Sequence, residues 1–138
     1  MVARGPETGP QTSQRRVAAA LAFASQLVHL WILPGEFSAR PLVGAFVFLA
    51  AVFQGLLAAS LLFGPGRWTV RLGLLLNAGL ALAWAATRAA GFPPLFGFGR
   101  LPGELLGLVA TGIEVLLLVL LLGIGRGTKA ERKKGRVR

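Results

Sequence analysis

Glu114 is the side chain of this sequence with the greatest capacity for chemistry. It stands in a run, 104–124, where every residue from Leu105 to Ile124 except Thr111 and Glu114 itself is apolar or glycine. A carboxyl group taken out of water must shed its charge or find a cation or several donors. At the middle of a membrane-spanning helix its charge costs at least ~2.5 kcal/mol, which makes such a group a functional candidate by default. Three other apolar runs each carry a polar residue near their middle: Gln26, Gln54 and Asn77. His29 shares a helical face with Gln26, and Thr111 with Glu114, both at i,i+3 spacing. One polar group per run at a common depth predicts a single internal cluster of Glu114, His29, Gln54, Asn77, Gln26 and Thr111. Within it, Glu114 is expected to pair with His29 or with an amide. The chemistry open to that cluster is interhelical hydrogen bonding, proton or cation handling, or contact with a partner subunit.

Other site types find little support. His29 is the only histidine, so the paired axial ligands of a bundle-bound haem are missing, and one His with one Glu is a thin set for a metal. The absence of cysteine excludes disulfides, zinc–thiolate sites, iron–sulfur clusters and thiol catalysis. No Gly-rich phosphate loop, nucleophile elbow or paired metal-ligand spacing is present. No catalytic residue, metal or cofactor is therefore expected, and an enzyme is not.

Two further polar groups lie at or beyond the ends of the apolar runs. Glu36, Arg40, Thr87, Arg88, Arg100 and Glu104 gather at one end of them, with Trp31 and Trp84 nearby. They read either as snorkelling and interfacial anchors or as a small extracytoplasmic site in which Arg88 faces Glu36 or Glu104. At the other end Lys129, Arg132, Lys133, Lys134, Arg136 and Arg138 are expected against anionic lipid headgroups, each contributing on the order of 1 kcal/mol.

The elements that position these residues follow from hydropathy. Of 138 residues, 54% are hydrophobic and 14% charged, and the charges are segregated into the ends and connections. The formal net charge of +10 forms no stripe of the kind that binds nucleic acid, so a nucleic-acid partner is not expected. Four apolar runs, about 16–33, 42–63, 68–90 and 104–124, are each near the ~20 residues that cross a bilayer core. They end at Pro34-Gly35, Gly64-Pro65-Gly66 and Gly91-Phe92-Pro93-Pro94. Ala22-Phe23-Ala24 mimics a signal-peptide cleavage site, but the first run continues well past it to Leu33, which favours a retained helix. Continuous apolar runs lack the alternation of barrel strands, leaving helices as the spanning form. The expectation is an all-α integral membrane four-helix bundle over 15–125. The Gly/Pro-rich stretch 1–14 and the basic stretch 126–138 are expected as disordered tails.

Basic residues set the direction. Arg4, Arg15, Arg16, Arg67, Arg71, Arg126, Lys129, Arg132, Lys133, Lys134, Arg136 and Arg138 fall on the side shared by both termini and the middle connection. Only Arg40, Arg88 and Arg100 fall on the other. This bias places both ends in the cytoplasm. Small residues recur at four-residue spacing, Ala51, Gly55 and Ala59 in the second run and Gly73, Ala81 and Ala85 in the third, with Asn77 at the intervening step. Such stripes let helices approach closely, inside the bundle or in a dimer.

The segments His29-Leu30-x-x-x-Pro34, Pro41-Leu42-x-Gly44-x-Phe46-x-Phe48 and Gln54 resemble a family of small bacterial four-helix membrane proteins. So do Asn77, Trp84, Thr87-Arg88-x-x-Gly91-x-Pro93 and Pro102-Gly103-Glu104 with Glu114. The resemblance covers most of the chain between its tails and implies a multi-pass protein of the bacterial cytoplasmic membrane, with little implied about activity. The family pattern places an acid and a histidine after Pro34 and a further acid between Glu104 and Glu114. This chain has Gly35-Glu36-Phe37 and Leu108-Val109-Ala110 there. The functional expectation is an accessory or structural subunit, in contact with membrane lipids and with a larger complex or a second copy. The alternative is an oligomeric proton- or cation-coupled transporter using Glu114.

Overall fold

The computed structural model describes residues 9–64, 66–89 and 105–135. They form four helices: α1 (Pro10–Ala39), α2 (Pro41–Phe63), α3 (Arg67–Ala89) and α4 (Leu105–Gly135). Among the described residues there is no strand. All four helices are long and apolar enough to cross a membrane. The 23 residues of α2 rise roughly 34 Å, against a hydrocarbon core of ~30 Å.

The ends of α2 and α3 lie within a residue of the expected boundaries, because the breaker between them is strong. Gly64 caps α2 at φ 121°, a left-handed backbone that disfavours any side chain. The first helix departs from expectation at both ends. It begins at Pro10, with Gly9 extended before it and Thr12 N–H bonded to the Gly9 carbonyl. Proline suits that first helical position because its missing N–H is not needed there. Residues 10–14, expected in a disordered tail, are therefore helical.

Nor does α1 stop at Pro34, which lies inside it. A proline there removes one backbone bond and crowds the carbonyl four residues back, yet the helix continues to Ala39, with Ser38 Oγ donating to the Pro34 carbonyl at 2.9 Å. The break comes instead at Arg40, held at φ −152°, ψ 84° before Pro41. The residue preceding a proline is driven out of the helical region. Pro41, being the first residue of α2, needs no N–H partner. One residue thus makes the whole turn between α1 and α2. At the far end, α4 runs through 126–135, which were expected to be disordered. Lys, Arg, Glu and Ala are good helix formers and carry the helix past Gly125 and Gly127.

Packing is uneven along the bundle. At the end that holds the start of α1, the α2–α3 turn and the later part of α4, Ala18, Ala19, Ala22, Leu57, Ala58, Leu61, Val70, Leu117, Leu121 and Ile124 form one buried cluster. Two glycines set the close approach of α1 to α2. A Cβ on Gly44 would lie 2.8 Å from the Phe37 Cα, and one on Gly55 would lie 2.5 Å from Gln26 Nε2. The outward faces are apolar: Phe23, Trp31, Phe53, Phe63, Leu75, Leu82 and Val119 are all exposed.

Candidate functional site

The four helices bring buried polar side chains into the interior of the bundle. Gln54 and Asn77 are fully buried, Glu114 is 2% exposed and His29 7%. Among the described residues, two contacts between helices join these groups.

The first pair joins α2 to α3. Gln54 Nε2 donates to Asn77 Oδ1 at 2.9 Å, and Asn77 Nδ2 donates to the Gly73 carbonyl at 2.8 Å. Asn77 therefore turns back on its own helix rather than toward Glu114. Gly73 lies at the same crossing, where an added Cβ would meet Leu57 of α2 at 2.8 Å and Leu121 of α4 at 3.0 Å. The absence of a side chain at Gly73 is what lets α3 come close enough for the amides to bond. Gln54 Oε1 is buried and, among the described residues, has no hydrogen-bond partner.

The second pair joins α1 to α4. His29 Nε2 lies 3.6 Å from Glu114 Oε1. On the other side of the ring, Nδ1 lies 2.8 Å from the Ser25 carbonyl and 3.4 Å from Ser25 Oγ, one turn back along α1. A carbonyl oxygen only accepts, so Nδ1 must carry a hydrogen and donate it. Nε2 is thereby the nitrogen that faces the carboxyl group.

The remaining members of the expected cluster make other contacts. Gln26 is half-buried and lies over Gly55 on the α2 side of α1. Thr111 Oγ1 donates to the Gly107 carbonyl of its own helix at 2.9 Å, the usual way a hydroxyl is satisfied within an apolar helix. Ser25, fully buried, is the contact of His29 that the sequence reading missed. Its signal was the four-residue spacing to His29, but its stronger contact is made by a backbone carbonyl, which residue type does not reveal.

At the end near the α1–α2 turn, Arg40 Nε pairs with Glu36 Oε2 at 3.8 Å across one helical turn. Thr87 Oγ1 donates to the Trp84 carbonyl at 2.8 Å. The expected facing of Arg88 with Glu36 or Glu104 falls on the Arg88 side chain, Arg100 and Glu104, which lie outside the described residues. So do the side chains of Lys129, Arg132, Lys133 and Lys134, and residues Arg136 and Arg138. Arg71 lies over the Trp68 ring, 5.5 Å from its centroid, at the opposite end. That placement suits an aromatic and a cation at a boundary between apolar and polar surroundings. Among the described residues no group of three or more His, Cys, Asp or Glu side chains gathers to hold a metal.

The stripes of small residues serve the interior only in part. Ala51 and Gly73 are buried and Gly55 half-buried, whereas Ala59 and Ala85 face outward. The chain matches no protein-family model, no curated protein and no solved structure.

Proposed function

We propose that the chain is a four-span integral membrane protein of the bacterial cytoplasmic membrane, with both termini in the cytoplasm, acting as an accessory or structural subunit of a membrane assembly. One observation carries this reading. The buried polar side chains join helix to helix or bond their own backbone, while the outward faces of all four helices remain apolar. Where lipid replaces water, burial of apolar surface does not drive helices together, and interhelical polar contacts and close packing do. Polar groups used in this way hold a shape. The exposed aromatic and aliphatic side chains fit hydrocarbon or the helices of a neighbour.

The orientation rests on the distribution of Lys and Arg, and the lipid partner on the basic stretch after Gly125, which suits anionic headgroups. The resemblance to small bacterial four-helix membrane proteins supports the same compartment.

Native mass spectrometry after mild extraction from the source membrane tests the reading. A stoichiometric complex with larger membrane subunits is expected. A bare monomer or a homo-oligomer overturns the accessory role. The topology has its own test: a reporter fused after Arg138 should report the cytoplasm, and one placed within 91–103 the outside. Equal signals from both sites would refute the four-span arrangement.

A further inference from the structure

We propose that His29 and Glu114 together form a binding site for one exchangeable proton, held on the line between His29 Nε2 and Glu114 Oε1. The first support is geometric. The Ser25 carbonyl, 2.8 Å from Nδ1, fixes a hydrogen on that nitrogen in every protonation state of the ring. Protonation of the imidazole therefore takes place only at Nε2, the atom 3.6 Å from Glu114 Oε1. That separation is a few tenths of an ångström beyond hydrogen-bond length. Among the described residues no other side chain is bonded to either atom. Transfer along this line is balanced: the Glu114 O–H bond breaks as the Nε2–H bond forms, turning a neutral acid and neutral imidazole into a carboxylate and an imidazolium.

The second support is the isolation of the pair. No titratable side chain other than His29 lies on α1 between Arg16 and Glu36, and none lies on α2. None lies on α3 between Arg71 and Arg88, and Glu114 alone titrates on α4 between Leu105 and Gly125. The polar side chains presented at this depth by α2 and α3 are Gln54 and Asn77, which carry no charge. The pair has three protonation states, and only the state with one exchangeable proton is electrically neutral overall. The other two leave a net charge in apolar surroundings, which is costly. The two groups are therefore coupled, and each of the two steps that link these three states belongs to the pair. Gain or loss of the proton changes the charge between α1 and α4, so the contact between these helices is the part of the bundle that senses it.

Because His29 is the only histidine, the full chain in lipid nanodiscs, grown with nitrogen-labelled histidine, yields one imidazole spectrum. Across a pH titration, Nδ1 is expected to keep its hydrogen throughout while Nε2 changes. The acid carbonyl band of Glu114 in infrared spectra should respond whenever Nε2 titrates. Glu114→Gln should remove that band and shift the Nε2 transition by about one pH unit or more. A bare Nδ1, an acid band that does not respond when Nε2 titrates, or an Nε2 transition unmoved by Glu114→Gln would each overturn the proposal. The spectra of the unsubstituted protein decide the first two outcomes even if the variant does not fold.

Discussion

At the end of the bundle that carries the start of α1 and the α2–α3 turn, the helices meet through Ala18, Ala22, Leu57, Leu61, Leu117 and Leu121. One to two turns further along, the same helices meet through Gln54 with Asn77 and His29 with Glu114. The first region is shape-matched and non-directional: alanines on α1 receive leucines from α2 and α4. The second is directional, since Gln54 Nε2 donates to Asn77 Oδ1 at 2.9 Å and His29 Nε2 faces Glu114 Oε1 at 3.6 Å. A shape-matched region resists cavities but tolerates a small slide of one helix on another. A hydrogen-bonded region sets the register, because a slide of one residue moves a donor away from its acceptor. The apolar end thus supplies contact area, and the polar layer selects which arrangement of four greasy helices is adopted.

Substitutions can break or sharpen this contrast. Leu121→Ala, at a fully buried position, should leave a cavity and cost about 2–5 kcal/mol, read as lowered resistance to denaturation in detergent. If it costs no more than a lipid-facing change, the apolar end is not the packed anchor. Glu114→Ala leaves His29 Nε2 facing a void and should cost about 1–3 kcal/mol, the penalty of a buried polar atom that has lost its partner. Single and double replacement of Gln54 and Asn77 by Leu should give a coupling energy of about 0.6 kcal/mol, the average for interhelical hydrogen bonds in membranes. A coupling of zero would remove this pair from the register-setting layer. Smallest of all, Leu75→Ala, on the outward face of α3, should change stability by less than about 0.5 kcal/mol. A larger loss there would mean that this face is covered by a protein neighbour.

Much of the architecture was legible because the cues are local. Gly64-Pro65-Gly66 stops α2 and starts α3 wherever it occurs. The length of an apolar run fixes whether a helix can cross ~30 Å of hydrocarbon. Pro34 misled because a proline is a weaker stop inside a helix whose following residues can still complete their backbone bonds. The effective stop is Pro41 acting on Arg40. The tails were read as disordered from composition, yet Pro10 is pre-set for a helix start and the residues after Gly125 are good helix formers. Gln54, Asn77, His29 and Glu114 were recognisable as interior from their isolation in apolar runs. Gln26 and Thr111 were grouped with them on depth and on a helical face shared with His29 and Glu114.

What the sequence determined by itself is therefore one-dimensional: four helices, the order in which they follow one another, the bounds of α2 and α3, and the level along each helix at which a polar group occurs. Spacing along a chain converts directly into height along a helix, at 1.5 Å per residue. The tertiary structure alone decided which of those groups meet. That choice depends on how each helix is rotated about its axis and how closely its neighbour approaches. Gly55 takes Gln26 against α2, and Gly73 admits α3 to within reach of Gln54. Ser25 aims His29 at Glu114 through a backbone carbonyl. Rotation and approach are settled by all the side chains at an interface together, so no single residue or spacing carries them.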